Sequence, residues 1–167
     1  MNIFVVDYDP EVAAQSLIDI HVNKMVVEGC QMLANRFSLD KLKEAPLTAN
    51  GTPRKHSYLH HPCSKWVLES AKNFEWLLLH TFSLYNERKF RFDKDHFCYS
   101  FLVWCFNNAP VVSDELTPFA QAMPEQYKHK DAVAAYRAYY LSDKKTDKNG
   151  KNMFQWTKRN PPNWCIT

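Results

Sequence analysis

Apolar residues recur at helical spacing over four stretches of the chain. Because an α-helix turns by about 100° per residue, apolar positions three or four residues apart lie on one face. The pattern predicts helices over residues 9–36, 62–89, 95–107 and 130–141, and it allows a bend near residues 19–21. The sequence therefore predicts a mainly α fold with minimal sheet.

Proline residues mark where the two long helices begin. Asp9-Pro10-Glu11 combines an N-cap residue, a first-turn proline and an acid that complements the helix dipole. Pro62 occupies the same first-turn position in the second long helix. Ahead of the first helix, the apolar run Ile3–Val6 predicts a short strand or an extended segment packed on the core.

Three segments lack a sustained apolar period and predict irregular structure. Residues 38–61 include the basic group Arg54–His56 and predict a long basic loop, which is either a functional lid or a solvated insert. Residues 117–124 are bracketed by prolines, and residues 144–167 form a basic and aromatic tail. We therefore expect one compact helical bundle over residues 1–167, with a short N-terminal extended segment and an irregular C-terminal tail.

The composition indicates a single packed domain and narrows the partners. The chain has 167 residues, of which 46% are hydrophobic and 14% aromatic. Its net charge is only +3, so contact with DNA would require local basic and aromatic patches. No apolar run approaches membrane-spanning length and no signal-type region opens the chain, so we expect no membrane contact and a cytoplasmic location. Five cysteines without a CxxC spacing predict free structural thiols, with no metal and no cofactor.

Three ionisable residues of the first helix share one face. His21, Lys24 and Glu28 fall within roughly a 60° sector, because steps of three and seven residues nearly close on whole turns. Leu17 and Met25 point the same way, so the trio differs from an ordinary solvated stripe. A base, an amine and a carboxylate are the groups that acid–base and covalent catalysis require. The alternative is a structural Lys24/Glu28 pair with His21 as a satisfied core residue.

Candidate binding residues lie where polar or irregular chain meets the helices. His60 and His61 precede Pro62, and the free backbone N–H groups at a helix N-terminus bind anions. In the loop and the tail, aromatic rings could stack on bases while basic groups neutralise phosphates. The alternatives are helix caps, surface residues and a tail pinned to the core by its indoles. The binding candidates are His60, His61, Tyr58, Trp66, Gln121, Trp156, Lys158 and Arg159.

Five segments together resemble a family of small phage-encoded proteins. They are His21–Glu28, His61–Ser70, Thr117–Pro124, Ala135–Tyr140 and Trp156–Trp164. The resemblance covers nearly the whole chain and implies the cytosol of an infected host cell as its location. A short N-terminal segment, then a helix with basic residues and a Glu, then His-Pro at the start of a second helix, is also similar to the pyrimidine-dimer DNA glycosylases.

The similarity to the dimer glycosylases implies a compact helical protein in which a free N-terminal amine is the nucleophile and a helical Glu is the essential carboxylate. Glu28 matches that Glu by its position on the first helix. The glycosylases expose a small residue after removal of Met, whereas here the second residue is Asn2. The nucleophile is therefore open between the terminal amine, Lys24 and water.

Three functions are compatible with these features. The first is a phage DNA-metabolism enzyme, a glycosylase or lyase or a related base-modifying activity on damaged or modified pyrimidines, with an amine nucleophile and Glu28 as acid and base. The second is a non-catalytic nucleic-acid or host-factor binding protein, such as a counter-defence protein. The third is a nucleotide-processing enzyme on small substrates, which would show no salt-dependent affinity for polynucleotides. Mutation of Glu28 separates an enzyme from a binder.

Overall fold

A computed structural model describes residues 1–112 and 114–166 of the chain. Within these ranges the only β-type pairing is an isolated bridge between Thr146 and Asn152, and no helix is long and apolar enough to span a bilayer. The mainly α fold predicted from the sequence is confirmed. The helices are α1 (Pro10–Ser16), α2 (Asp19–Ala34), α3 (Leu39–Leu42), α4 (Pro62–Glu69), α5 (Ala71–Phe92), α6 (Tyr99–Asn107) and α7 (Ala132–Asp143), with 3₁₀ turns at Glu125–Tyr127 and Asn163–Cys165.

The first predicted helix is two helices separated by a sharp break. Asp9 caps α1 as predicted, its carboxylate accepting from the backbone N–H groups of Glu11 and Val12. The backbone then becomes extended at Leu17 and Ile18, where ψ is 146° and 157°. Both side chains are fully buried. The extended residues at the break are thus part of the core, and the break changes the direction of the chain between α1 and α2.

The second predicted helix is likewise interrupted, at Ser70. Ser70 is extended (φ −146°, ψ 157°), and its hydroxyl accepts from the backbone N–H of Asn73 at 2.9 Å. The N–H groups of Ala71 and Lys72 donate to the carboxylate of Asp114 at 2.9 and 3.1 Å. Three of the free N–H groups at the start of α5 are therefore paired with side chains, which stabilises a new helix start here.

Other boundaries shift by a few residues. Helix α6 starts at Tyr99 instead of residue 95, and the predicted loop over residues 38–61 contains the short helix α3. Residues 117–124 contain no regular structure, as the bracketing prolines indicate. The tail is irregular except for its final 3₁₀ turn, and Thr167 lies outside the described residues.

Helices α2 and α5 form the centre of the core, and α1 packs against α5. Gly29 of α2 packs directly against Thr81 of α5. A Cβ placed on Gly29 would lie 2.3 Å from Oγ1 and 2.8 Å from Cγ2 of Thr81. The absence of a side chain at Gly29 therefore sets the separation of the helices that carry the candidate site.

Replacing Gly29 by alanine is expected to lower the free energy of unfolding by about 1–3 kcal/mol. The added methyl overlaps Thr81, and this overpacking outweighs the roughly 1 kcal/mol that alanine gains in helix propensity. Urea denaturation of both chains measures the difference. In a Thr81→Ala background, which lacks Oγ1 and Cγ2, the same substitution should cost less. Equal losses in both backgrounds would contradict this explanation.

A buried arginine closes the break between α1 and α2. The guanidinium of Arg91 donates to the carbonyl oxygens of Gln15 and Leu17, each at 2.8 Å, and to the carboxylate of Asp19 at 2.9 Å. Its Nε donates to Oε1 of Glu87 at 2.6 Å. The carbonyl groups at the end of α1 have no following helical turn to bond, and Arg91 supplies their donors. One side chain of α5 therefore fixes the relative position of α1 and α2.

The C-terminal tail is fastened to the same junction. Arg159 donates from Nε and Nη2 to the two carboxylate oxygens of Glu87, at 2.9 and 2.8 Å. Thr157 donates from its backbone N–H and its hydroxyl to the carboxylate of Asp19. Tail, α5 and the α1–α2 break are thus joined in one network, which we call the junction network (Asp19, Glu87, Arg91, Thr157 and Arg159).

Candidate functional site

The carboxylate of Glu28 lies against the first two residues of the chain. Its Oε2 is 3.5 Å from the amine of Met1 and accepts from the backbone N–H of Asn2 at 3.0 Å. Its Oε1 is 3.3 Å from the ammonium of Lys24. The Glu28 side chain is only 12% exposed. A nearly buried carboxylate on the central helix is therefore held between two amines, and we call this set (Met1, Lys24 and Glu28) the amine cluster.

The Asn2 side chain fixes the N-terminal segment over Glu28. Its Oδ1 accepts from the N–H groups of Ile3 and Phe4, and its Nδ2 donates to the carbonyl of Ala122 at 2.8 Å. The segment Ile3–Val6 that follows is buried in the core and is not a strand. It is not extended throughout either, since φ of Phe4 is +39° and the N–H of Val6 donates to the Phe4 carbonyl at 2.7 Å. The apolar run therefore anchors the segment, and the proline-bracketed residues 117–124 reach the amine cluster through Ala122.

The exposed part of Met1 is its main chain. The side chain of Met1 is 3% exposed and its sulfur accepts from the Ser64 hydroxyl at 3.4 Å, whereas the residue as a whole is only partly buried. The solvent-accessible surface of Met1 accordingly belongs to its backbone. An amine in this position can meet a ligand while its own side chain anchors it in the core.

The apolar neighbours of Lys24 in the sequence suggested a buried amine, but the structure shows an exposed one. Its side chain is 63% exposed, although it pairs with Glu28 at the predicted four-residue spacing. Water solvates most of the ammonium group, so the desolvation that would activate a lysine nucleophile is missing here. The geometry favours Lys24 as the residue that orients Oε1 of Glu28.

His61 borders the amine cluster from the start of α4. Its Nδ1 accepts from the backbone N–H of Cys63 at 3.2 Å, which makes it the N-cap residue. Burial lowers the pKa of His61, and the positive charge of the terminal amine of Met1 lowers it further. The Glu28 carboxylate opposes the shift. Helix α4 contacts the amine cluster directly, because the Ser64 hydroxyl donates to the sulfur of Met1 at 3.4 Å. Nδ1 therefore serves as the helix cap that the sequence allowed as an alternative. Nε2 is the ring nitrogen that remains for a ligand.

An open groove of about 550 Å³ runs along residues 56–61. Tyr58 stands at its edge with 66% of its surface exposed, and its φ of +51° is unusual for a residue with a side chain. The carbonyl of Tyr58 accepts from the N–H of His61 at 2.9 Å, which closes the turn. His60, which is exposed, also lines the groove. The groove therefore presents an aromatic ring and three imidazoles, the third being that of His56, and it ends at His61, the cap of α4.

His21 contacts aromatic residues and takes no part in the ion pairs of the amine cluster. The Tyr140 hydroxyl accepts from the N–H of Ile18 at 3.0 Å and lies 2.6 Å from Nδ1 of His21, so it donates to that nitrogen. The imidazole also stacks on Phe4 with centroids 4.7 Å apart. Burial lowers the pKa of His21 to about 3, and Lys144 and then Lys24 add to the shift. These contacts are those of the predicted alternative, a satisfied core histidine.

Two further binding candidates are occupied elsewhere. Trp66 is 1% exposed and packs against Trp76 and Phe119, so its indole offers no face on which a base could stack. The side chain of Gln121 bonds to the main chain of His129 in both directions, at 2.6 and 3.0 Å. The stacking wall expected at Trp66 is absent because this side chain is part of the core.

The tail residues expected to bind polynucleotide make contacts within the protein. Arg159 is bound to Glu87, Nζ of Lys158 donates to the carbonyl of Phe90 at 2.9 Å, and the Trp156 indole donates to a main-chain carbonyl of α1 at 2.9 Å. These contacts match the alternative of an irregular wrap pinned to the core. The DNA-binding role predicted for these three residues would require those contacts to be broken.

Asn2 is the residue of the site that sequence reasoning missed. Its importance comes from its position directly before the buried run Ile3–Val6, which forces residues 1 and 2 onto the core surface. The start of this apolar run was therefore the feature of the sequence that could have pointed to Asn2. Within residues 1–112 and 114–166, no group of three or more His, Cys, Asp or Glu side chains has the geometry of a metal site.

No protein-family model matches this chain, and neither curated proteins nor solved structures give a significant match.

Proposed function

We propose that this protein is a DNA glycosylase or lyase that attacks a damaged or modified pyrimidine nucleotide with the amine at the start of the chain. The single observation that carries the proposal is the position of that amine, 3.5 Å from a carboxylate that is 12% exposed on the central helix. Helix α4, which His61 caps, contacts Met1 through the Ser64 hydroxyl. The exposed Tyr58 belongs to the turn that precedes this helix, and its carbonyl accepts from the N–H of His61. Together they supply a nucleophile, an acid–base group and a surface for a displaced base.

The chemistry follows from the pairing of amine and carboxylate. An ammonium group has no free electron pair, so it must first lose a proton, and Oε2 of Glu28 is within reach to accept it. The neutral amine then forms a bond to C1′ of the sugar, and the electrons of the bond from C1′ to the base leave with the base, which is protonated as it departs. Loss of a proton from the attached nitrogen with opening of the sugar ring gives an imine. Hydrolysis of that imine releases the enzyme; where loss of a C2′ proton and expulsion of the 3′-phosphate (β-elimination) come first, hydrolysis follows them.

A terminal amine suits this step better than a lysine does. Ordinary α-amino groups have pKa values near 7.7–8.0, against about 10.4 for lysine, so a larger neutral fraction is present near neutral pH. The contact with Glu28 holds for either of the first two residues, because the nitrogens of Met1 and Asn2 lie 3.5 and 3.0 Å from the same oxygen. Removal of Met1 would therefore still leave an amine beside the carboxylate.

Borohydride trapping tests the proposal directly. The protein is incubated with oligonucleotides carrying pyrimidine dimers, oxidised or enzymatically modified pyrimidines, or abasic sites, and borohydride reduces any imine to a stable cross-link. Intact mass identifies the first residue of the protein, and peptide mapping identifies the cross-linked nitrogen. We expect a cross-link at the terminal amine of Met1 or Asn2 on at least one substrate.

Matched variants assign the roles within the amine cluster. Glu28→Gln keeps the size and the contacts of the side chain but removes its basicity, and it should lower the trapping rate about 10²–10⁴-fold. Lys24→Met should leave the cross-link in place. Thermal unfolding of each variant shows that it is folded. A cross-link that maps to Lys24, or the absence of both cross-link and released base over the whole panel, would reject the proposal, and DNA affinity unchanged in Glu28→Gln would then favour the non-catalytic binder.

A further inference from the structure

A second cavity, of about 320 Å³, lies between the loop over residues 48–57 and helix α2. Seven of its ten lining residues carry polar or basic side chains, and no acidic residue of the described chain lines it. It shares His56 and Ser57 with the groove along residues 56–61. The lining residues that matter here are Gln31, Thr48, Arg54, Lys55, His56 and Ser57.

Two polar atoms in this wall are buried without a hydrogen-bond partner. They are Nη2 of Arg54 and Oγ of Ser57, and the described residues contain no other buried side-chain nitrogen or oxygen in that condition. Buried donors and acceptors are nearly always paired, because an unmade hydrogen bond is costly. Both atoms belong to residues that line one cavity, so a ligand held there can become their partner once the two side chains turn toward it.

The donors of this cavity are held in place before any ligand arrives. Nε of Arg54 donates to the carbonyl of Pro46 at 3.0 Å, and the guanidinium lies 3.8 Å from the centre of the Phe101 ring. Ser57 is tied by two main-chain hydrogen bonds to the side chain of Asn35, each 2.9 Å long. Because these positions are fixed, less conformational entropy is lost on binding, which favours a specific ligand over a weakly bound ion.

The chemistry of the wall selects an oxyanion. A planar guanidinium binds the oxygens of phosphate through two parallel N–H donors, and a serine hydroxyl adds a third donor. Lys55, which is exposed at the rim, contributes a second positive charge. A carboxylate ligand would fit the guanidinium alone, whereas a phosphoryl group offers enough oxygens for Arg54 and Ser57 together.

We propose that this cavity binds a phosphoryl group, which in a DNA complex is a backbone phosphate next to the nucleotide that faces Tyr58 and the amine cluster. This inference rests on the proposed function for the identity of the strand. The oxyanion chemistry itself depends only on the unpaired donors, the basic lining and the shared residues His56 and Ser57. The site would set the register of the strand on the protein without reading its sequence.

Fluorescence anisotropy with a labelled single-stranded oligonucleotide measures the effect of each donor. We expect Arg54→Met to weaken binding about tenfold or more and to reduce the salt slope of the affinity by about 1, as for the loss of one phosphate contact. Ser57→Ala removes a neutral donor and should weaken binding about threefold without changing the slope. The control Lys43→Met removes an exposed charge outside the cavity and should change affinity less than twofold.

Competition identifies the source of the phosphoryl group. Inorganic phosphate and a pyrimidine mononucleotide are titrated against the oligonucleotide and, separately, against the protein while the amide signals of residues 54–57 are followed by NMR. Oligonucleotide binding that depends on Arg54 assigns the cavity to a strand, and binding of the mononucleotide alone assigns it to a free nucleotide. If none of the three ligands shows a dependence on Arg54 or on Ser57 in folded variants, the inference is overturned.

The two proposals fail separately in these assays. Arg54-dependent binding without any borohydride cross-link in the unmodified protein would keep the phosphoryl site and reject the lyase mechanism. A cross-link whose rate and substrate dependence are the same in Arg54→Met and in the unmodified protein would keep the mechanism and reject the site.

Discussion

Replacing Arg91 by methionine is expected to lower the free energy of unfolding by about 3–5 kcal/mol, the range seen when one partner of a buried ion pair is removed. The side chain is 2% exposed, and it donates to two main-chain carbonyl groups as well as to Asp19 and Glu87. Methionine fills a similar volume but leaves the carbonyl groups and the carboxylates without these donors. The loss comes from polar groups left unpaired and not from an empty space.

Chemical denaturation at neutral pH measures this loss, with Lys89→Met as the control. Lys89 lies on the same helix and also forms an ion pair, with Asp95, but its side chain is 55% exposed. Exposed pairs contribute about 0–1 kcal/mol, so the control should change the stability little. A loss below about 1 kcal/mol in Arg91→Met, similar to that of the control, would mean that water replaces the arginine at the junction network.

Acidification from pH 6.5 to pH 4 is expected to remove about 3 kcal/mol of stability through His21 alone. In the folded protein the pKa of His21 is lowered to about 3, whereas in the unfolded chain it is near 6.5. Above pH 6.5 the imidazole is neutral in both states, so its full contribution to stability is present. As the pH falls below 6.5, only the unfolded chain binds the proton, and stability declines until the folded pKa is reached.

The pH dependence of urea unfolding measures this effect in His21→Gln, whose amide oxygen can still accept from the Tyr140 hydroxyl. This variant should lose less stability between pH 6.5 and pH 4 than the unmodified protein does. His80, which donates to the Pro10 carbonyl and whose pKa burial lowers to about 4, adds a second and separate decline. The exposed His129 provides the control His129→Gln. Equal slopes in the unmodified protein and in His21→Gln would show that His21 is protonated in the folded state.

The positions of the helices could be predicted because their apolar period and their caps are local signals. Asp9 and Pro62 mark real helix starts, as the sequence indicates. The break was predicted only as a possible bend near residues 19–21, whereas it lies at Leu17 and Ile18, since both residues are apolar and fit a continuous helix equally well. The donor that stabilises it is Arg91, 74 residues further along the chain.

The candidate site could be predicted only in part, for the same reason. The Lys24/Glu28 pair follows from the spacing of the two residues on one helix. The amine that faces Glu28 arrives on a segment without any period, and Asn2 holds it through a hydrogen bond to Ala122, 120 residues away. Long-range contacts of this kind leave no local trace in a single sequence.

The junction network can be completed only after residues 157 and 159 have been synthesised. Thr157 binds Asp19 across 138 residues, and Arg159 binds Glu87 across 72 residues. Before those residues emerge from the ribosome, Arg91 faces the two carboxylates alone, so one negative charge in the network is not balanced. Because a chain folds progressively from its N-terminus as it is made, Arg91 alone holds the α1–α2 break until then, and the remaining bonds of the network form late. A ribosome-stalled chain that ends before residue 155 would therefore expose the α1–α2 break to proteolysis, and a released chain that includes residues 157–159 would protect it.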